Sequence, residues 1–240
     1  MERLIHYCQN QLNINLTKNQ VEAFNQYQEE LIKWNQIMNL TAIATPAEIE
    51  VKHFIDSLTC LLAMDISKPI TIIDVGTGAG FPGIPLKIIY PAIALTLAES
   101  VGKKAEFCQH IVTILSLKQT TILSSRIENI GQDPNHRETY DYALARAVAR
   151  LSTLAEYLLP LVKVGGHVIA QKGKNIKDEL NAAQNAIGIL GGELETTINL
   201  QLPYVNEDRS LVVLRKIRPT TSKYPRRPGI PSKKPLIQFR

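Results

Sequence analysis

Residues 70–86 read Ile-Thr-Ile-Ile-Asp-Val-Gly-Thr-Gly-Ala-Gly-Phe-Pro-Gly-Ile-Pro-Leu, and they decide the fold. From Ile70 to Val75 every residue but Asp74 is β-branched, the composition of a short buried strand. Gly76, Gly78 and Gly80 follow at alternate positions, and residues 84–90 read as the start of a helix. Strand, glycine loop and helix in that order make the nucleotide site of an open α/β sheet. The glycines let the backbone turn tightly and approach a ligand, and the N–H groups opening the helix face it.

Two registers of that loop compete. Gly78, Gly80 and Gly83 fit G-x-G-x-x-G, the dinucleotide fingerprint of NAD enzymes, but that register starts two residues late. Starting from Gly76 puts Phe81 where the third glycine belongs. An acid before the first glycine, then G-x-G-x-G, resembles instead the S-adenosylmethionine loop of Rossmann-like methyltransferases. A second apolar run, Ile93 to Ala98, ends at Glu99. A carboxylate there can accept hydrogen bonds from both ribose hydroxyls of an adenosine; the alternative is a solvated acid at a strand end.

The chain has 240 residues, 45% of them hydrophobic, enough for one large domain or one domain with a small addition. Cys8, Cys60 and Cys108 lie far apart and form no C-x-x-C pair, so neither a disulfide framework nor a zinc site is expected. No H-E-x-x-H occurs among the histidines, and no metal is expected. No signal-peptide pattern and no run of 18 apolar residues is present, so a cytoplasmic protein without membrane association is expected, acting as a monomer. Charge is more informative. Residues 215–240 hold nine cations (Arg215, Lys216, Arg218, Lys223, Arg226, Arg227, Lys233, Lys234, Arg240) and no acid. The whole chain carries +5, so the rest carries −4. A basic segment on an acidic body points to a polyanionic partner, nucleic acid above all, over a merely solvated tail.

Residues 1–65 read as helical. Thr17-x-x-Gln20 is a capping box, with Leu16 placed to staple onto Val21. Val21, Phe24, Tyr27, Leu31, Trp34 and Met38 then recur at helical spacing, a packing stripe rather than a cofactor contact. Thr45-Pro46-x-Glu48 opens another helix, on which His53 and Asp56 share a face, either as a bonded pair or beside the ligand. After a linker at 66–69 the pattern alternates: strands at 70–75, 93–98, 120–124, 140–145 and 167–171, with helices at 83–90, 102–117, 150–162 and 176–190. Two last strands, 198–202 and 211–215, have no helix between them. The expected fold is therefore α/β: a mostly parallel seven-stranded sheet with an antiparallel edge hairpin and an N-terminal helical extension. That hairpin is typical of Rossmann-like methyltransferases and unusual for NAD domains. Three parts are expected, 1–65, 66–217 and the basic tail 218–240. Five prolines in the tail disfavour a regular helix and favour an extended path along a phosphate backbone, with Lys223, Arg226 and Arg227 as its RNA contacts.

Several stretches together resemble one family. They are Trp34-Asn35-x-x-x-Asn39-Leu40-Thr41-Ala42, His53-x-x-Asp56-Ser57-Leu58, the loop from Asp74 to Leu86, Glu99-Ser100-x-x-Lys103-Lys104, Arg126-Ile127-Glu128, Ala145-Arg146-Ala147, Lys172-Gly173 and Tyr224-Pro225-Arg226-Arg227-x-Gly229-x-Pro231. They are similar to the bacterial 16S rRNA guanine-N7 methyltransferases, the RsmG/GidB family, over roughly residues 30–235. The resemblance implies methyl transfer from S-adenosylmethionine to N7 of a guanosine in the 530 loop of 16S rRNA, at rRNA position 527. It also implies that Gly76, Gly78, Gly80 and Phe81 line the methionine and ribose side of the cofactor. Ile127 and Glu128 would flank the adenine, and Arg146 would close the site.

Guanine N7 carries an exposed lone pair and no proton at neutral pH, so its methylation needs alignment and exclusion of water but no general base. Neither an Asn/Asp-Pro-Pro-Tyr/Phe loop nor a Pro-Cys pair, the devices of amine and pyrimidine-carbon methylation, occurs. Arg146 and Lys172, at strand C-terminal ends, are the donors that could orient guanine through O6 or a phosphate, and Lys172 is the candidate catalytic residue. The alternative is that each pairs with an acid. Arg126 is a weaker candidate. Phe81 and Tyr204 could stack on an unpaired base, although packing suits both better. An NAD-linked oxidoreductase and an rRNA-binding factor without activity are the other readings of the fold.

Overall fold

A computed structural model describes residues 1–236; Arg240, expected to belong to the basic tail, lies outside the described residues. The chain opens with α1 (Glu2–Gln11) and α2 (Lys18–Met38). The capping box is present: Thr17 Oγ1 accepts from the Gln20 N–H, and the Gln20 side chain accepts from the Thr17 N–H. Phe24, Tyr27 and Leu31 are fully buried, so the α2 stripe packs as its spacing requires.

The next helical stretch differs from a plain α-helix. Thr45 caps α3 (Pro46–Glu48), which runs directly into a π-helix (Ile49–Ile55), α4 (Asp56–Leu58) and a 3-10 turn (Thr59–Ala63). A π-wound segment widens each turn by one residue, which changes which side chains share a face. His53 lies in it and Asp56 just beyond it.

The sheet comprises β1 (Thr71–Val75), β2 (Ala94–Ala98), β3 (Thr120–Leu123), β4 (Tyr140–Arg146), β5 (Val162–Lys172), β6 (Gly192–Leu202) and β7 (Glu207–Lys216). Its order is β3-β2-β1-β4-β5-β7-β6, parallel through β5, with β7 antiparallel to both β5 and β6. The mostly parallel seven-stranded sheet with its antiparallel hairpin is the expected one. The hairpin strands are longer than their apolar cores suggested, because backbone pairing extends into the mostly polar, exposed stretch Glu193 to Thr196 at the sheet edge. Helices α5 (Gly83–Ile89), α6 (Gly102–Ile114), α7 (Ile127–Gln132), α8 (Leu151–Leu158) and α9 (Lys177–Ile189) connect the strands. Helix α8 stops four residues earlier than its apolar run, where Pro160 enters a 3-10 turn.

Alternate strand residues feed two cores. Ile72, Leu95, Leu97, Leu144, Ile169 and Leu211 join Phe24, Tyr27, Phe54 and Phe107 on one face. Ile73, Val75, Ala143, Ala145, Val168 and Val212 join Leu154, Leu158, Ala183 and Ile187 on the other. The N-terminal helices are thus one of the layers covering the sheet. Neighbours β2 and β4 lie on opposite sides of β1. At that switch of strand order the loops after β1 and β4 part and leave a crevice, the usual ligand position in such sheets.

Candidate active site

The glycine loop is held from below. Gly76 and Thr77 donate their N–H groups to Ala98 O, at the end of β2. Asp74 is fully buried; its Oδ2 accepts from Thr77 Oγ1 (2.6 Å) and from the Gly83 N–H (2.8 Å). Among the described residues its Oδ1 has no hydrogen-bond partner. Burial pushes this carboxyl up to about 6, against the hydrogen bonds and the Arg146 charge that pull it down.

The glycines have different reasons to be glycine. Gly78 has φ +61° and nothing within 4 Å of where a Cβ would stand, so its space is open to a ligand. A Cβ on Gly80 would lie 2.5 Å from the Tyr27 hydroxyl, which donates to Ala79 O and pins the loop to α2. Gly80 therefore serves close packing.

Two cavities open on either side of the loop after β4. One, about 300 Å³, is lined by Val75, Gly76, Ala98, Ser100, Ser125, Arg126, Ile127, Glu128, Val148, Ala149, Tyr157 and Ser232. The other, about 490 Å³, is lined by Ile43, Lys52, His53, Asp56, Arg146, Ala147, Gln171, Lys172, Gly173, Glu207 and Arg209. Between them Ala147 takes φ +56°, a left-handed conformation that costs a non-glycine residue about 1 kcal/mol. That reversal sends Arg146 to one cavity and Val148 to the other.

Gly76, Ile127 and Glu128 lie on the smaller cavity, where Glu128 Oε1 accepts from the Gly229 N–H (2.8 Å). Glu99 stands at its expected strand end but turns to backbone: its Oε2 accepts from the Gly78 N–H and its Oε1 from the Val101 N–H. Each oxygen keeps a second lone pair for a ligand hydroxyl. Phe81 is buried and faces away from the smaller cavity. Its ring stacks on His53 (centroids 4.3 Å apart) and on Tyr27 (5.3 Å), with the Arg146 guanidinium 5.1 Å from its centroid. Packing, not base stacking, occupies it. Tyr204 is half exposed in the hairpin turn, with Arg3 over its ring.

On the larger cavity, Arg146 Nη1 donates to Asp56 Oδ2 and to Lys52 O, and Nη2 donates to His53 Nδ1. A guanidinium only donates, so Nδ1 is the acceptor and the His53 proton sits on Nε2, which faces Thr41 Oγ1 at 2.9 Å. Burial, with the Arg146 charge, lowers the His53 pKa to about 3 and keeps the ring neutral. His53 and Asp56 are therefore not a bonded pair; both hold Arg146. Lys172 Nζ donates to Ala149 O and to Glu179 Oε1, on α9. Both cations pair with acids, as the alternative reading allowed. Arg209 and Gln171 were missed in the sequence. Arg209 looks like part of a charged turn beside Glu207 and Asp208, and only strand pairing across β5 and β7 brings it to Asp56.

The basic tail is docked rather than extended free of the body. Arg137 donates to the carbonyls of Thr220, Thr221 and Tyr224. Gln132 Nε2 donates to Ser222 O and Pro225 O. Arg226 grips the fully buried Glu156 with Nε, Nη2 and its backbone N–H, and ends near a short α10 (Ile230–Lys233). Arg226, expected as a phosphate contact, is engaged in this structure as the counter-ion that the buried Glu156 demands. Lys223 and Arg227 are exposed.

A family model described as GidB, rRNA small subunit methyltransferase G, matches residues 20–212. Proteins named ribosomal RNA small subunit methyltransferase G are similar along nearly their whole length. The one from Desulforamulus reducens is 48% identical over 226 residues, covering 94% of each chain. That from Pelotomaculum thermopropionicum is 50% identical over 226 residues, covering 94% of this chain and 95% of its own. The chain belongs to the rRNA small subunit methyltransferase G family. It is a methyltransferase of small-subunit rRNA that uses S-adenosylmethionine. Solved structures agree on the Rossmann-like fold: a SAM-dependent methyltransferase from Aquifex aeolicus (15% identity, TM-score 0.53, 73% of this chain and 96% of that one). An O-methyltransferase from Thermotoga maritima gives 16% identity and a TM-score of 0.52, over 80% of this chain and 72% of that one.

The residues present fit that cofactor. Gly78 leaves space for close approach, and Asp74 Oδ1, buried and without a partner among the described residues, would suit a cation such as the methionine ammonium. Among the described residues no cluster suits a metal ion, and no helix is long and apolar enough to cross a membrane.

Proposed function

We propose that the protein methylates N7 of a guanosine in the 530 loop of 16S rRNA, at rRNA position 527, with cofactor and base in the two cavities that meet at Ala147. When bound, S-adenosylmethionine would supply its sulfonium methyl to the N7 lone pair without a general base, the S–CH3 bond breaking so that S-adenosylhomocysteine leaves as the neutral thioether. Gly76 and Gly78 would line the methionine side, Glu99 would receive a ribose hydroxyl, and Ile127 and Glu128 would flank the adenine. Gly80, Phe81 and Arg146 act behind this surface: Gly80 and Phe81 hold the loop, and Arg146 shapes the base side.

The observation that carries this reading is the back-to-back arrangement of the cavities about the Arg146–Ala149 turn. It puts a donor-rich pocket one turn away from the glycine loop. The pocket's own groups serve orientation. Lys172 and Arg146 present N–H donors suited to guanine O6 or a phosphate. Their pairing with Glu179 and Asp56 offsets their charge, so positive charge moving onto the purine meets little repulsion. The neutral His53, its Nδ1 already engaged, is not available as a base. Exposed Lys223 and Arg227 supply phosphate contacts along the rRNA, and the protein works as a cytoplasmic monomer.

The test is transfer of labelled methyl from S-adenosylmethionine to small ribosomal subunits from cells lacking this protein, followed by identification of the nucleoside. We expect 7-methylguanosine in the 530 loop. Label in a different nucleoside would refute the target, and RNA binding without label would favour a binding factor.

A further inference from the structure

The smaller cavity has one wall that does not come from the sheet or its connections. Ser232, from the docked tail, lines it together with Gly76, Glu128 and Tyr157. Three contacts place that wall. The Gly229 N–H donates to Glu128 Oε1 at 2.8 Å. Thr153 Oγ1, on α8, donates to Pro231 O at 3.3 Å. The Arg226 guanidinium is clamped on the buried Glu156 and also donates to Lys234 O at 2.8 Å, which ties the two ends of the turn together. Glu128, Tyr157 and Ser232 all line the cavity, so residues of α7, α8 and the tail converge on it.

Glu128 is the telling residue. It is buried, and the Gly229 N–H is what its Oε1 holds. Its place on the cavity wall therefore depends on a residue 101 positions further along the chain. Removing the tail would take away both a wall and the partner of a buried carboxylate. A ligand that fills the cavity buries surface against body and tail together, and so favours the docked state over any state in which the tail is lifted.

We propose that residues 224–234 are part of the cofactor site: the Gly229–Ser232 turn closes the adenosine end, and cofactor binding and tail docking stabilise each other. This rests on the smaller cavity being the cofactor site. Ser232 supplies a hydroxyl, and Gly229 is a positioning residue that acts through Glu128. The exposed cations on the same segment, Arg227, Lys233 and Lys234, then sit on an element whose position the cofactor influences. Linkage makes the effect reciprocal: RNA phosphates that favour the docked tail also tighten cofactor binding.

The experiment is amide hydrogen exchange on the full-length protein with and without saturating S-adenosylhomocysteine, read at Arg226, Gly229, Ile230, Lys233 and Lys234. These amides all donate within the docked segment or to the body. We expect the nucleoside to slow their exchange about tenfold or more, together with the amides of Ile127 and Glu128. Gly229→Pro removes the N–H and cannot adopt the native φ of +82°. It should raise KM for S-adenosylmethionine about tenfold, the size of one hydrogen bond to a charged group, with kcat at saturation retained. Protection at Ile127 and Glu128 without protection of the tail would overturn the inference and leave the cofactor site standing. Protection of neither would overturn both.

Discussion

Asp56 Oδ2 accepts a hydrogen bond from Arg146 Nη1 at 3.0 Å, while its Oδ1 lies 3.3 Å from Arg209 Nε. One buried carboxylate holds guanidinium groups from β4 and β7 at the base-side cavity. Asp56→Ala leaves two partly buried cations without their shared counter-ion. A loss of about 3–5 kcal/mol is expected in urea denaturation. Asp56→Asn should keep the fold but lower methyl transfer more than S-adenosylhomocysteine affinity, because the displaced groups face the RNA side.

His53 sets part of the acid limit of stability. Its folded pKa, about 3, lies below the ordinary 6.5. The unfolded chain therefore binds this proton more readily, and stability is lost as pH falls from about 6.5 towards 3. Asp74 contributes with the opposite sign, since its raised pKa favours the folded state at low pH. Comparing wild type with His53→Gln isolates the histidine: the variant's stability should fall less steeply between pH 6.5 and pH 4. Equal slopes would contradict a neutral buried ring.

Asp74 also predicts how cofactor binding responds to pH. Burial raises its carboxyl pKa to about 6, and an ammonium held at Oδ1 would favour the ionised form. S-adenosylhomocysteine affinity, measured by calorimetry, should rise as pH increases through about 6. Asp74→Asn should weaken binding and remove the step. An unchanged step in that variant would assign the titration elsewhere.

Arg226 and Arg227 are neighbours with different work to do. Arg226→Ala strands the fully buried Glu156 and should cost about 3–5 kcal/mol of stability. Arg227→Ala should leave stability within about 0.5 kcal/mol. It should weaken RNA binding and reduce the slope of log affinity against log salt by about one. A salt slope that does not change would remove Arg227 from the phosphate contact.

Lys172→Met tests the base-side pocket alone. The loss of its ammonium should lower methyl transfer about tenfold to a hundredfold, with S-adenosylhomocysteine affinity unchanged, because Lys172 borders the larger cavity. A fall in cofactor affinity of the same size would instead place Lys172 at the cofactor.

Apart from α7 and the π-wound segment, the element types were legible in the sequence, and the parallel pairing of the first strands and the terminal hairpin in residues 70–86 and the alternation after them. So were the Thr17 and Thr45 caps. Each depends on neighbours within a turn or a strand, and such periodicity is carried by the local sequence. The candidate site was legible only as positions: Gly76, Ile127 and Glu128 line one cavity and Arg146 and Lys172 the other, as strand ends require.

What each charged group touches was decided by tertiary structure. Arg226 reads as a phosphate contact in a basic run, yet Glu156, 70 residues away, takes it. Phe81 packs, as its sequence reading favoured over base stacking, but the rings it stacks on, His53 and Tyr27, are chosen by how the N-terminal helices dock. Arg209 belongs to no motif of the sequence, yet β7 pairs with β5 and carries it to Asp56. Ion pairs and ring stacks form between whichever groups packing brings together. That choice depends on helix docking, on a π-wound segment and on strand order, none of which local periodicity specifies.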